Sequence, residues 1–452
     1  MSGIAVAGYE IRRLLRDRAL AGLLLLLVAL SAYAAWNGAE WVKQRMTAIA
    51  LLTAEEQQTL MHARVFVGKA PSVLPRAQPV LPPGAMAVVS IGQADAYPFT
   101  ADVVALGDGT TLFKRVWADI GSPTARAAGR FDLAFIIVFL LPLVVLAASY
   151  DLWARERERG IAAMLLSQPV SVSRLIIFKA LARGLVVLLP ATAIIAAAAY
   201  WAGARDPAGL VCLILIVLTY AGFWLAVAVV IGLRARRSTE AAIAAGAIWL
   251  LLVVMAPSLT LTGIDLLAPP PSEMRFATEM KARLTQITER QRLQRIANPA
   301  PVRTPAPAIP DSIRDSYADL VAADRQLAPM LAAHKRSQDA RRHWMDSVRF
   351  LLPSVAAQDA LDRLAGSDAD RALAFQSQVA TFWHQRRLLH QGYLERDAIQ
   401  TLDEYDSLPR FVFQDIRSVL PVGLLADLAA LIAAIGLLLI AAWAMRGQSK
   451  TP

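Results

Sequence analysis

The chain has 452 residues, 56% of them hydrophobic, and a mean hydropathy of +0.45. Its charged residues are gathered into blocks between long apolar runs, which excludes an ordinary water-soluble globule and points to an integral membrane protein. A net charge of +10 would suit nucleic acid, but its distribution fits membrane orientation instead, and the lone cysteine, Cys212, excludes a disulfide framework.

In chain order, residues 8–19 (GYEIRRLLRDRA) place Ile11, Leu14 and Leu15 on one helical face, with Arg12, Arg13 and Arg16 on the others. That pattern predicts a helix lying in the headgroup plane ahead of the first span. Six segments are long and apolar enough to cross a bilayer: 19–36, 131–150, 175–203, 208–233, 240–264 and 421–445. Trp and Tyr sit near several of their ends, as an aromatic belt requires. The first segment also resembles a secretory signal ending at Ala32-Tyr33-Ala34, but Trp36 and Trp41 favour a retained anchor.

Between the first two spans, residues 37–130 begin as a helix over 39–68, turn Pro-rich, and close with short runs read as a few strands or loops. Residues 265–420 read as mainly helical. One helix covers 272–297, a Pro-rich stop covers 298–310, and Asp311 and Ser312 are positioned to cap the next helix. That helix carries Pro329 as a candidate kink, and helices over 353–365 and 368–400 follow.

If the N-terminus is cytoplasmic, the cytoplasmic pieces 1–18, 151–183, 234–240 and 446–452 hold 15 Lys/Arg against 6 Asp/Glu, +9 of the total +10. Residues 265–420 carry 21 basic and 20 acidic residues, which nearly cancel. The basic character therefore orients the chain with both termini inside, and no nucleic acid is expected as a partner.

No phosphate-binding Gly-rich loop, zinc-protease motif or nucleophile elbow occurs, so the chain reads as non-enzymatic. No two of the five histidines have chelating spacing on a helix, and no metal or cofactor is expected. Ionisable groups in spans are candidates for function. Lys179 and Arg183 read as side chains snorkelling to the interface, and Asp427 as the candidate for the pathway.

The segment 150–180 (YDLWARERERGIAAMLLSQPVSVSRLIIFKA) is too patterned for a linker. Glu156 and Glu158 alternate with Arg155, Arg157 and Arg159, Gly160 interrupts, and Ile161, Met164, Leu165 and Leu166 form an apolar patch before Pro169. A short amphipathic helix of this kind suits a groove on a soluble partner.

These residues resemble the membrane subunits of type-2 ABC transporters, the ABC-2 permeases. Glu156, Glu158, Gly160, Leu165, Leu166, Ser167, Pro169 and, further on, Lys179 match the family's loop after the second span, with Ile161 where Thr is usual. Glu10, Arg12, Arg13, Leu14, Arg16 and Asp17 resemble its interfacial helix, and Asn37, Gly38 and Trp41 resemble an element of a branch with long outer insertions. The resemblance implies a mainly α polytopic protein of six transmembrane helices, with a mostly helical extracytoplasmic domain between helices five and six. The divisions are then 1–36 (interfacial helix and first span), 37–130 (first outer region) and 131–264 (spans two to five, coupling loop 151–174). They continue with 265–420 (helical outer domain) and 421–452 (sixth span and tail).

It further implies an exporter in a bacterial inner membrane, a homo- or heterodimer of permeases, and a separate subunit that binds ATP and Mg. Within the loop, Glu156, Arg157, Glu158, Arg159, Gly160, Leu165, Leu166 and Pro169 are the residues expected to meet that ATPase. A different reading of the same features is a membrane scaffold or sensor whose outer domain recruits a periplasmic protein.

Overall fold

The computed structural model describes residues 3–69, 74–107, 112–113, 131–158, 160, 172–269, 271–298, 307–415 and 422–444. Six helical segments are long and apolar enough to span a membrane: Arg18–Phe66, Leu133–Glu158, Leu175–Trp201, Pro207–Arg234, Ser238–Leu267 and Gly423–Ala444. They are called spans one to six below.

The N-terminal helix Gly3–Leu15 stops at a turn, and Asp17 caps the next helix by accepting from the Ala19 and Leu20 amides. That helix, Arg18–Phe66, runs 49 residues without a break. At a rise of about 1.5 Å per residue it reaches about 74 Å, more than twice a hydrocarbon core. Span one and the predicted outer helix are thus a single rod. Three residues clasp a loop to its middle. Asn37 donates to the Phe131 carbonyl (2.9 Å), Trp41 donates to Asp95 (3.0 Å), and a side chain at Gly38 would collide with the Val88 carbonyl.

The main core lies among the spans. Span four is buried over most of its length, from Gly209 to Gly232. Helix Pro353–Ala365, between spans five and six, joins this core through Ala356, Ala357, Ala360 and Leu361, packing on spans four and six. Three spans contain a wide π turn, at Ile136–Leu140, Gly184–Leu188 and Leu250–Met255. In each, a proline follows two residues later: Pro142, Pro190 and Pro257. Proline has no N–H to close the α ladder, and the wider turn absorbs the mismatch.

The described parts of 37–130 and 265–420 fold together. Ala77, Ala101, Val103 and Leu112 of the first share a core with Phe375, Val379, Phe382 and Trp383 of the second. Leu74 and Ala105 do the same with Ile309, Tyr393 and Leu394. The far end of the long rod is tied in as well: Arg64 grips Asp406 through two bonds (3.0 and 2.7 Å), and Tyr405 donates to the Leu60 carbonyl (2.6 Å).

One expectation is resolved and one is corrected. Of strands or loops over 74–113, the described residues take loops, with only the isolated bridges Ala77–Val103 and Val80–Thr100. Pro75, Pro79, Pro82 and Pro83 lack the amide donors a ladder needs. Helix Asp311–Val348 takes Pro310 as its N-cap, with no side-chain cap, so Asp311 and Ser312 lie inside its first turn. Pro fits there because its φ is already helical and the first N–H groups have no intrahelical acceptor.

Candidate functional site

The charged stretch at the end of span two begins where the helix breaks at Tyr150 and restarts as Ala154–Glu158. Gly160 then takes a left-handed backbone with φ +71°, and its amide donates to the Arg157 carbonyl (3.1 Å). A side chain there would meet nothing within 4 Å, so glycine is set by the backbone rather than by crowding. This explains why the charge run halts where it does. Arg159, Leu165, Leu166 and Pro169 lie outside the described residues.

Each acid of the run holds a different span. Glu156 is turned inward and accepts from the Lys179 ammonium in span three. Glu158 is exposed and accepts from the Ser238 amide (3.3 Å) and hydroxyl (2.8 Å) at the first turn of span five. A carboxylate there also complements the positive end of the helix dipole. Arg157 donates to the Ala235 carbonyl (3.2 Å), just past the end of span four. Trp153 is buried beside Leu175 and Ile176, which pins the start of the loop to the start of span three.

Behind this loop sits a buried ion cluster centred on Arg183. Its guanidinium donates to Glu10 of the N-terminal helix (3.1 and 2.9 Å), to Asp151 (2.6 Å) and to the Ala148 carbonyl (2.8 Å). Arg155 meets the second oxygen of Asp151 at 2.9 Å, and Arg13 meets the second oxygen of Glu10 at 3.6 Å. Arg12 and Arg16 are exposed on the same helix.

Lys179 is 6% exposed and Arg183 2%, so neither snorkels, contrary to the expectation from sequence. The physical reason is that acids brought in from Glu10, Asp151 and Glu156 neutralise them where they stand, which burial of a charge requires. Asp151 and Ser238 were not singled out in the sequence, and Arg155 was read only as one of the charges of the run, not as a partner of Asp151. Of the first two, only Asp151 left a signal there, as an acid directly at the end of an apolar run.

At the opposite end of the bundle, Asp427 is fully buried in the second turn of span six. Arg349 and Arg363 stand 3.6 and 3.7 Å from it, too far for direct hydrogen bonds, while each donates to Asp359 (2.6 and 2.8 Å). The site is therefore two acids and two arginines joining span six to the helix Pro353–Ala365. Nearby, Asp362 is also buried, accepting from Ser90 (2.6 Å) and Gln358 (2.8 Å). Burial pushes its carboxyl up to about 7, with the carboxylates of Asp132 and Asp359 adding to the rise. Asp132, itself raised by burial, accepts from the Ile91 and Phe135 amides and so fixes the entry to span two.

The arrangement defines a polytopic membrane protein in which one short surface helix is bonded to the ends of three other spans. The family model described as ABC-2 family transporter protein matches residues 4–444, and the chain belongs to that family. No protein of curated function matches the chain. The chain is thus a membrane component of a transporter.

Proposed function

We propose that this chain is the permease of an ATP-driven exporter, coupled through the loop 151–174 to a separate subunit that binds ATP and Mg. The observation that carries the reading is the pair of clasps Glu156–Lys179 and Glu158–Ser238, which join the short helix Ala154–Glu158 to spans three and five. A push on this helix must shift the ends of both spans together. In this proposal Glu156 is a positioning residue, and the exposed Gly160 belongs to the face offered to the ATPase. The Arg183 cluster carries the same motion to the interfacial helix.

Two permease copies, identical or not, form the working unit. The charge partition supports an inner-membrane orientation with both termini cytoplasmic. The joined outer regions form a gating or interaction element above the pathway, one that could receive a periplasmic protein. Asp427 lies where that element meets span six, and it responds there to movement of the pathway.

Two measurements test this. Coexpression with an ATP-hydrolysing subunit should recover it with the full chain, and deletion of 161–170 should abolish recovery while the chain still reaches the membrane. Equal recovery after the deletion would refute the docking assignment. A Ser337→Cys variant, with Cys212→Ala, should be labelled by an impermeant reagent in intact cells; labelling only after permeabilisation would reverse the orientation.

A further inference from the structure

Spans three, four and six line a groove of about 770 Å³, and its wall residues Leu181, Leu185 and Trp443 are exposed. Its walls include Ile176, Leu185, Leu189, Leu218, Leu233 and Trp443, and none of its lining residues is charged. Because the helices are antiparallel, Ile176, Leu233 and Trp443 mark one end, on the side of the charged loop. Leu189 and Leu218 mark the deep end.

We propose that this groove seats the hydrocarbon chains of an anionic phospholipid from the leaflet on the loop side. Three observations support that occupant. The first is shape. From Ile176 to Leu189 the groove extends about 20 Å along span three, long enough for an extended hydrocarbon chain to lie in it.

The second is chemistry. A polar solute would find almost no hydrogen-bond partners on these walls and would lose those it had in water. The third is charge. Leu233 is followed by Arg234, Arg236 and Arg237, all exposed, at the mouth. Trp443, 68% exposed, lies at the same level, where interfacial tryptophans reside. A lipid phosphate at that level can be held by arginine through charge-assisted bonds.

The seat also has a mechanical consequence. One wall is the π turn Gly184–Leu188, to whose carbonyls no described side chain is bonded, unlike the π turns of spans two and five. Lipid packing braces the unclasped turn, and removing the lipid frees it. The inference is independent of the exporter reading, because it concerns binding and not transport.

The test is native mass spectrometry of the purified full chain after delipidation and titration with phosphatidylglycerol or phosphatidylcholine. Phosphatidylglycerol should be retained about tenfold more strongly, equivalent to about 1.4 kcal/mol. A charge-assisted bond to arginine is strong enough to supply that difference. Arg234→Glu should erase that preference while leaving chain occupancy. Leu185→Trp, at a half-exposed wall position, should remove tight retention of both lipids. Equal retention of the two lipids, or retention unaffected by Leu185→Trp, would overturn the proposal. A photo-crosslinker at position 185 gives an independent readout that does not depend on the filled variant folding: lipid adducts support the seat, and adducts to another protein chain refute it.

Discussion

Arg183 shows how a single side chain can hold an assembly of elements far apart in sequence. Its partners are Glu10 and Asp151, and all three are buried. Removing one member of a buried ion cluster strands the others, which costs about 3–5 kcal/mol. Arg183→Met is therefore expected to lower the thermal midpoint sharply. Arg183→Met together with Glu10→Leu and Asp151→Leu should recover much of the loss, and an unstable triple variant would argue against a purely ionic role.

The residues themselves were visible in the sequence; their neutralisation was not. A lysine or arginine near a span end reads as snorkelling when its partner lies 173 positions away in a different helix.

Asp362 supplies a pH dependence. Its carboxyl titrates at about 7 in the folded chain and at about 3.9 when unfolded, so the folded state holds an extra proton between those values. Stability from this group is full below about pH 4, falls as the pH rises toward about 7, and is level above that. Thermal midpoints measured between about pH 4 and pH 8 should show this fall, and Asp362→Asn should flatten it. An unchanged slope in the variant would assign the dependence to other groups.

Among the elements, the interrupted spans invite a sharper test. Pro142 leaves the Val138 carbonyl without its α-helical donor, and Tyr220 donates to that oxygen instead (3.0 Å). Trp249 donates to the Phe139 carbonyl (3.1 Å), and Ser354 to the Leu252 carbonyl (2.8 Å), five residues before Pro257. In hydrocarbon no water can replace such donors. Tyr220→Phe should cost about 1–3 kcal/mol by unfolding titration. The loss should shrink in a Pro142→Ala background, because that substitution restores an amide that can donate to the Val138 carbonyl; additive effects would contradict this pairing.

The helical elements were largely legible, since apolar runs and Pro-rich stops announce them. Ser272 caps Glu273–Ala297 by accepting from the Arg275 amide, and the helices Pro353–Ala365 and Ala369–Arg396 fall close to the predicted ranges. The π turns escaped, although Pro142, Pro190 and Pro257 were in plain view, because apolar length alone says nothing about the ladder inside a span. The element Asn37-Gly38-Trp41 was recognised by resemblance only, and its clasping role needed the loop it holds.

Across the whole molecule, two insertions separated by four spans build one structure. Sequence order presents residues 37–130 and 265–420 as separate regions, and nothing in local periodicity reveals that Val103 packs in one core with Phe375 and Val379. The spans and their order were readable because a bilayer imposes length and apolarity on each segment alone, whereas cross-insertion packing obeys no such local rule. The long rod Arg18–Phe66 links this structure to the spans, so movement of span one must carry Arg64 and its partner Asp406 with it.

The coupling claim rests on Glu156 and Lys179, 23 residues apart and joined as an ion pair. The direct measurement is substrate-stimulated ATP hydrolysis by the reconstituted complex carrying Glu156→Lys, Lys179→Glu, or both. Each single reversal places like charges together in a largely buried site and should reduce stimulation at least tenfold with the ATPase subunit still bound. The double reversal restores the pair and should return stimulation to within a few-fold of the native complex. Full stimulation in both single variants would contradict transmission through this clasp.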